Sequence, residues 1–410
     1  MAVMAARDEG SVAVVERLEA FASGVLAEAM NRPVQRSNGA LYLRGLLEDG
    51  ARKSLEPLVA RLGSDADYQS MQQFLADSPW DPAAVVRVVA ERVAPAVDVE
   101  AWVLDDTGFP KDGKASPGVK RQYSGTLGKI GNCQIGVSVH AVGERGTVPL
   151  GWALYLPEDW CEDTERRRRA KIPDEVVFKT KHELGVELVE RAVGWEVPRA
   201  PVLGDQAYGE DNKLRDRLHR AGSEYVLSVG PKAAVFAPET VFTVPQRRGG
   251  VGRRTKQLRP DRKPESIASL ITRLGAQVAQ TVTFRDGPDG EPITSRFVFT
   301  RVRALAKWTN GASEPPREEW LIAEWPDGQE QPTDYWLSNL PGDSEPERLA
   351  HLARLRWKIE LDYKQLKGEL GLDHYEGRSS LGWYHHTALV TAAHGFLTMQ
   401  RLNPFHQRPA

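Results

Sequence analysis

The sequence predicts a mixed α/β (α+β) protein with an all-helical domain at its start and a mainly β segment inserted later. The chain has 410 residues, and because a domain usually holds about 100 to 200 residues, we expect two or three folding units. Apolar residues recur at spacings of three and four from about Val12 to Val93, which is a helical period. After Pro95 the pattern changes to short β-rich runs separated by glycine and proline.

Bulk composition excludes several classes of protein. Hydrophobic residues make up 41% and charged residues 27% of the chain, which is ordinary for a globular protein. No apolar run approaches the roughly 20 residues that cross a bilayer, and the first ten residues do not resemble a signal peptide. Only Cys133 and Cys161 are present, without metal-binding spacing. We therefore expect a cytoplasmic protein with reduced thiols and no membrane partner.

The segments "VAVVERLEAFASGVL" and "AAVVRVVAERV" predict helices in an N-terminal domain of residues 1–95. Ser78 or Asp81 can cap the helix that begins near Pro82. Several short helices in a segment of this length suit a small DNA-binding bundle. A plain helical adaptor fits the same composition.

Three further segments follow, and their order gives the predicted architecture. Strands "AWVLDDT", "NCQIGVSVHAV" and "TVPLGWALYLP", helix "TKHELGVELVERAVGW" and strand "APVLGDQAYGED" form the first part of a core at residues 96–222. Short strands dominate the insertion at residues 223–342. Helices return at residues 343–410 in "EPERLAHLARLRWKIELDYKQLKGELG" and "GWYHHTALVTAAHGFLTMQRL".

Acidic residues stand at the ends of two core strands and on the helix after the insertion: Asp105 or Asp106, Asp205 and Glu360. A single acid at a strand end is more often a turn former or a helix cap. Three carboxylates brought together repel one another unless cations lie between them. Oxygen ligands suit Mg²⁺, with Mn²⁺ as a substitute, and two ions about 3.5 to 4 Å apart can drive a phosphodiester displacement. Adjacent acids on a strand point to opposite faces, so at most one of the first two belongs to such a site.

The segment "WVLDDTGFPKDGKASPGVKRQYSGTLGKIGNCQIGV" resembles the signature of bacterial insertion-sequence transposases of the DDE superfamily, in the group numbered seven hundred and one. The resemblance extends from about Leu41 to Phe396. It implies a ribonuclease-H-like catalytic core interrupted by a β insertion, and cut-and-paste movement of DNA by metal-dependent cleavage and transesterification. It further implies that the partners are the terminal inverted repeats and the target DNA, that a homodimer forms in the DNA complex, and that the protein acts at the bacterial nucleoid.

Related enzymes share a helical pattern of Tyr, two residues, Arg, three residues, Glu, six residues and Lys. Arg356, Glu360 and Lys367 stand at these spacings, whereas Ala353 occupies the place of the tyrosine. The phosphate contact of that tyrosine is therefore lost or passes to another residue such as Tyr363. Four-residue spacing predicts that Arg356 and Glu360 share one helical face. Relatives also show Asp, any residue, then Thr or Ser, which favours Asp105 with Thr107 and leaves Asp106 as the substitute ligand.

Two basic segments are candidates for DNA contact. The first follows the first acid and contains Lys111, Lys120, Arg121 and Lys129 among glycines and serines. The second runs from Gln246 to Lys263, with eight Lys and Arg against one Asp, and includes Arg247, Arg248, Arg253 and Arg254. Solvated loops have the same composition. Tryptophans 308, 320, 325 and 336 of the insertion could stack on unpaired bases or simply pack within the sheet.

Three functions remain open from the sequence. In the leading hypothesis Asp105, Asp205 and Glu360 hold two Mg²⁺ ions in a DNA transposase, and Arg356 and Lys367 contact the DNA. A domesticated or inactive transposase would keep the fold and act as a DNA-binding protein. A metal-dependent DNA endonuclease would cleave without strand transfer. Because all three acids are present, activity is favoured over the inactive form.

Overall fold

A computed structural model describes residues 9–245, 257–287, 289–305 and 314–402. Packing divides the chain into two compact units: unit 1 is Met1–Arg199 with Lys358–Ala410, and unit 2 is Ala200–Trp357. Among the helices within these ranges, none combines the length and the apolarity that a membrane span requires.

Five helices form the N-terminal region of unit 1: α1 (Glu9–Ala29), α2 (Pro33–Leu47), α3 (Leu55–Leu62), α4 (Tyr68–Ala76) and α5 (Pro82–Val93). Asp81 caps α5, since its carboxylate accepts the amide hydrogen of Ala83 at 2.8 Å and Pro82 occupies the first turn. The all-helical N-terminal region that the apolar spacing predicts is confirmed.

Unit 1 continues with antiparallel strands and three helices: β1 (Val99–Pro110), β2 (Lys120–Ser124), β3 (Lys129–Gly143), β4 (Gly146–Tyr155), α6 (Glu158–Glu162), α7 (Thr164–Arg169) and α8 (Lys181–Val193). On one side β3 pairs with β1, and on the other it pairs with β2 along its first residues and with β4 along the rest. In this register the Cα partner of Asp105 is Ser138.

Unit 2 contains a crossover followed by a larger antiparallel part. Its elements are β5 (Val202–Gly204), α9 (Gln206–Gly209), α10 (Asn212–Arg220), β6 (Tyr225–Ser228), β7 (Ala234–Phe236), β8 (Phe242–Thr243), β9 (Arg259–Pro260), β10 (Glu265–Ser266), α11 (Ile267–Leu274), β11 (Gln280–Asp286), β12 (Pro292–Ala304), β13 (Glu318–Glu324), β14 (Asp334–Ser338) and α12 (Pro346–Arg354). Strands β5 and β6 are parallel, and β6, β14, β13 and β12 follow one another in antiparallel pairs. Buried apolar side chains, including Ile271, Val298 and Leu321, form the core of the insertion.

Two helices complete unit 1: α13 (Lys358–Gly368) and α14 (Ser380–Leu402). The sequence predicts one helix from about residue 345 to 371, but a 3₁₀ turn at Leu355–Trp357 separates α12 from α13. Most of α14 is buried, so it is a central helix rather than a surface one.

The predicted fold class is confirmed. The protein is α/β (α+β), with a helical N-terminal region and strands and helices consistent with a ribonuclease-H-like core that carries a mainly β insertion. The domain boundaries near residues 95, 222 and 342 stay a prediction, because division by packing groups segments that are distant in sequence.

Candidate active site

The neighbouring acids of β1 face opposite sides of the strand. Asp106 forms an ion pair with Lys181 of α8, with 3.0 Å between Oδ2 and Nζ. Leu104 lies on the same side as Asp106. The Leu104 side chain packs so closely against Gly185 of α8 that a Cβ atom at this glycine would lie 2.7 Å from it. Because side chains alternate along a strand, Asp105 points away from α8.

Asp105 faces the side on which α13 packs. Cα partners in an antiparallel pair project to the same face, and the partner of Asp105 is Ser138. The Ser138 hydroxyl lies 2.8 Å from the Tyr363 hydroxyl of α13. Asp105 Oδ1 accepts the amide hydrogen of Asp106 at 2.8 Å, which holds the partly exposed carboxylate at the strand.

Helix α13 brings a cation to the same face of β1. Lys367 Nζ donates to Thr107 Oγ1 at 2.7 Å and to the carbonyl oxygen of Gly108 at 2.8 Å. Thr107 is two residues from Asp105 and therefore lies on the same face. Glu360 is exposed on α13, seven residues before Lys367, a spacing that places both on one helical side. Within unit 1, two predicted acids and one predicted cation thus belong to β1 and the helix packed on it.

Burial changes the titration of the α13 side chains. It lowers the pKa of Lys367 to about 8, with the charge of Asp373 opposing the change. Burial, together with the nearby carboxylate of Asp105, raises the pKa of the Tyr363 hydroxyl well above its ordinary value. Tyr363 is therefore neutral, and its hydroxyl is directed to Ser138 inside the protein, so it does not replace the missing tyrosine of the pattern.

A buried polar network continues from Tyr363 beneath the acids. Ser138 Oγ lies 3.0 Å from His140 Nε2, and His140 Nδ1 lies 2.7 Å from Asp362 Oδ2. Thr147 donates to the other oxygen of Asp362. Burial raises the pKa of the Asp362 carboxyl, but the hydrogen bond from His140 and the nearby ring of His394, 3.5 Å away, outweigh it and hold that pKa below its usual value.

Sequence reasoning missed this network. The available signal was the alternation of Gln134, Ser138 and His140 on one face of an otherwise apolar strand. Polar residues at core-facing positions indicate buried hydrogen bonds, although they do not reveal the partner.

Asp205 and Arg356 lie in unit 2, where both line a cavity of about 460 Å³. Asp205 follows β5 and caps α9, accepting the amide hydrogen of Tyr208 at 3.2 Å. Arg356 lies in the 3₁₀ turn, so the predicted regular helical face shared by Arg356 and Glu360 is replaced by two segments with different geometry.

Metal binding by the three acids stays a prediction. Asp105 and Glu360 belong to unit 1 and Asp205 to unit 2. Over the described ranges, no group of three or more His, Cys, Asp or Glu side chains is arranged to hold a metal ion. The chemistry of the predicted donor set, three carboxylates, still fits Mg²⁺, which prefers oxygen ligands.

The predicted DNA contacts have different surroundings. Lys111 is directed inward and donates to the carbonyl oxygens of Asp373 and Tyr375, a placement that favours a structural role. Lys120 forms an ion pair with Asp159. Arg121 and Lys129 are exposed on β2 and β3. Four other predicted contacts lie outside the described residues: Arg247, Arg248, Arg253 and Arg254.

The tryptophans of the insertion mostly pack within unit 2. Trp325 and Trp336 are buried. The Trp320 indole donates to the carbonyl oxygen of Pro341 at 2.9 Å, and Arg301 covers its ring at 4.8 Å. Trp308 lies outside the described residues. For the three described tryptophans these contacts favour packing over base stacking.

Comparison with known proteins decides the family. Residues 25–291, well over half of the chain, match the family described as DDE superfamily endonuclease. The chain belongs to this family. The match contains Asp105 and Asp205 and ends before Glu360. The predicted membership of the DDE superfamily is therefore confirmed.

A curated relative of this DDE endonuclease is named "Probable transposase for insertion sequence element IS701", from Microchaete diplosiphon. It is 31% identical over 171 residues, which cover 41% of the chain and 42% of the relative. The aligned part thus spans less than half of the relative's length.

Proposed function

We propose that this DDE endonuclease is a DNA transposase that cleaves phosphodiesters at the ends of an insertion sequence and joins the freed ends to target DNA. Family membership supports the endonuclease chemistry, and the relative supports an insertion-sequence substrate. The observation that carries the proposal is one face of β1: Asp105 lies there two residues from Thr107, which accepts a hydrogen bond from Lys367 of α13, the helix that also carries Glu360.

In the proposed site Asp105, Asp205 and Glu360 are the residues that would hold Mg²⁺, which when bound lowers the pKa of the attacking water and stabilises the charge of the displaced oxygen. Asp106 lies outside this set because Lys181 neutralises it on the opposite face of the strand.

The protein's own cations position the DNA. Lys367 carries its charge below about pH 8, and Thr107 and Gly108 fix its Nζ beside the strand. A fixed ammonium group attracts the scissile phosphate and offsets charge that grows as the bond breaks. We propose the same positioning role for Arg356 in unit 2, which lines the same cavity as Asp205.

After cleavage, the freed 3′ hydroxyl attacks a target phosphodiester in a second displacement of the same kind. This step requires terminal inverted repeats and target DNA to be held together, and we propose a homodimer in that complex. The protein would act at the bacterial nucleoid.

The deciding experiment is cleavage of duplexes from the DNA that flanks the gene, with and without Mg²⁺. Asp205→Ala and Glu360→Ala should abolish cleavage and leave DNA binding nearly intact, because most affinity comes from contacts between cations and phosphates. Equal loss of binding and cleavage in a folded variant would contradict the assigned roles.

A joining assay tests the second half of the proposal. Wild-type protein, a pre-cleaved end and a supercoiled plasmid should give joined products in Mg²⁺. Cleavage without joining would instead identify an endonuclease, and binding without cleavage would identify an inactive DNA-binding protein.

A further inference from the structure

The hairpin formed by β2 and β3 exposes an apolar pair near its tip. Tyr123 is 64% exposed and Ile130 is 59% exposed, and the two are Cα partners in the strand register. Their side chains therefore lie side by side on one face. A cross-strand pair of this kind stabilises the hairpin, and its exposed part also offers an apolar contact surface to a partner.

The hairpin segment that carries this pair is basic. Between Lys120 and Ile130 the chain contains three cations and no acidic residue. Arg121 is two residues from Tyr123 and shares its face. Within the part of the chain that the structure describes, neither Arg121 nor Lys129 is paired with a carboxylate. The hairpin tip thus joins an aromatic ring, an aliphatic side chain and available positive charge, a combination suited to nucleic acid.

The hairpin is tied to the proposed active site. Thr126, in its turn, has its hydroxyl 3.2 Å from the Lys367 Nζ and 3.2 Å from the Gly108 amide nitrogen. The turn closes at Gly128, whose φ of 61° disfavours other residues. DNA held at Lys367 would therefore lie next to the hairpin tip.

We propose that Tyr123 and Ile130 pack against the bases of a base step opened beside the scissile phosphate, while Arg121 and Lys129 hold the adjoining backbone. This inference rests on the proposed function and names the feature of the DNA that the site selects, which is a duplex end that opens readily. Two side chains cover only part of the roughly 800 Å² per partner that a standard protein interface buries, which disfavours a second copy of the chain as the occupant.

The test uses duplexes from the DNA that flanks the gene, with 2-aminopurine placed in turn at each position near the end. Binding by wild-type protein with Mg²⁺ left out should raise the fluorescence at one step. Tyr123→Ala with Ile130→Ala should abolish that rise and lower the cleavage rate in Mg²⁺ roughly tenfold or more, as loss of one base-stacking contact predicts. Mismatches at that step should restore the rate. Val177→Ala, which removes an apolar side chain that is 61% exposed between α7 and α8, is the control and should change neither reading.

Each result separates the inference from the proposed function. If wild-type protein opens a step in a Tyr123-dependent way but does not cleave, the inference stands and the proposed chemistry falls. An unchanged fluorescence rise in the double variant overturns the inference, as does a slow variant that mismatches do not rescue. Dissociation of a wild-type dimer by Tyr123→Ala, with the fluorescence rise intact, would overturn it in favour of an interface between copies.

Discussion

Two adjacent aspartates on β1 show how strand alternation gives like charges different surroundings. Asp106 forms an ion pair with Lys181 of α8, whereas Asp105 faces the side of the strand on which α13 packs. We predict that Asp105→Asn abolishes Mg²⁺-dependent cleavage, because an amide is a poorer ligand than a carboxylate. Asp106→Asn should retain cleavage and lower the free energy of unfolding by at most about 1 kcal/mol, the contribution of a partly exposed ion pair. Parallel cleavage assays and urea titrations measure both effects.

The pair is its own matched control, since both changes remove one carboxylate from neighbouring positions on the same strand. Loss of cleavage in Asp106→Asn with normal activity in Asp105→Asn would reverse the assignment.

Hydrogen-bond direction in the buried network gives a second prediction at this scale. Asp362 accepts from His140 Nδ1, so Nε2 accepts from Ser138, whose oxygen in turn accepts from Tyr363. Tyr363→Phe should therefore lower the free energy of unfolding by about 1 kcal/mol, since one donor is lost. Asp362→Ala should cost more, because it strands the buried donors of His140 and Thr147. Equal losses in urea unfolding would show that the network does not act through Asp362.

Helix α14 carries buried histidines, and their protonation would destabilise the folded protein. His386 Nε2 faces the carbonyl oxygens of Gly371 and Leu372 and must donate, so Nδ1 accepts from the Tyr42 hydroxyl at 2.9 Å. Burial lowers the pKa of His386 to about 4. Between that value and the ordinary value near 6.5 the unfolded chain binds a proton that the folded chain does not, so stability falls as pH drops through this window.

We predict that His386→Gln makes the free energy of unfolding less dependent on pH below about 6.5, by up to about 1.4 kcal/mol per pH unit. Urea titrations at several pH values measure the slope. Tyr42→Phe is the comparison variant, since it removes a hydrogen bond but keeps the titrating ring, and it should lower stability while retaining a pH dependence below about 6.5. An unchanged slope in His386→Gln would assign the pH dependence to other groups, such as His140 and His385, whose pKa values are also lowered by burial.

The spacing of apolar residues predicted the presence of helices and strands better than it predicted the break between α12 and α13. Helical spacing identifies α5 and α13, and the short β-rich run "AWVLDDT" identifies β1. The 3₁₀ turn at Leu355–Trp357 contains no proline or glycine from which it could have been predicted. Its effect on Arg356 therefore could not be derived from residue spacing, which assumes a regular helix.

For the molecule as a whole, the sequence identified the candidate acidic residues, but it did not identify the groups that the cationic side chains bind. Lys111 and Lys129 occur in one glycine-rich segment, yet Lys111 is directed to carbonyl oxygens and Lys129 to solvent. A charge pattern indicates that a segment is basic. Tertiary packing decides which of its charges remain available for phosphate, and one sequence does not contain that information.

The last prediction concerns how charge is divided between binding and catalysis in a protein with a net charge of −2. If the basic segment from Gln246 to Lys263 contacts the DNA backbone, Arg247→Ala with Arg248→Ala should weaken binding to all duplexes alike and reduce the slope of log K against log salt by about 0.9 per lost phosphate contact. Lys367→Ala should leave that slope within about one contact of wild type and lower the single-turnover cleavage rate, because its Nζ is held by Thr107, two residues from Asp105.

Arg273→Ala with Arg354→Ala is the matched control, since each of these arginines forms ion pairs with two carboxylates. This control should change the salt slope little, because charges neutralised within the protein release few counterions from DNA. If the variant Arg247→Ala with Arg248→Ala has the same salt slope as the control variant, the basic segment makes no DNA contacts through these two arginines. A Lys367→Ala protein that binds weakly but cleaves bound DNA at the wild-type rate would move Lys367 from catalysis to binding.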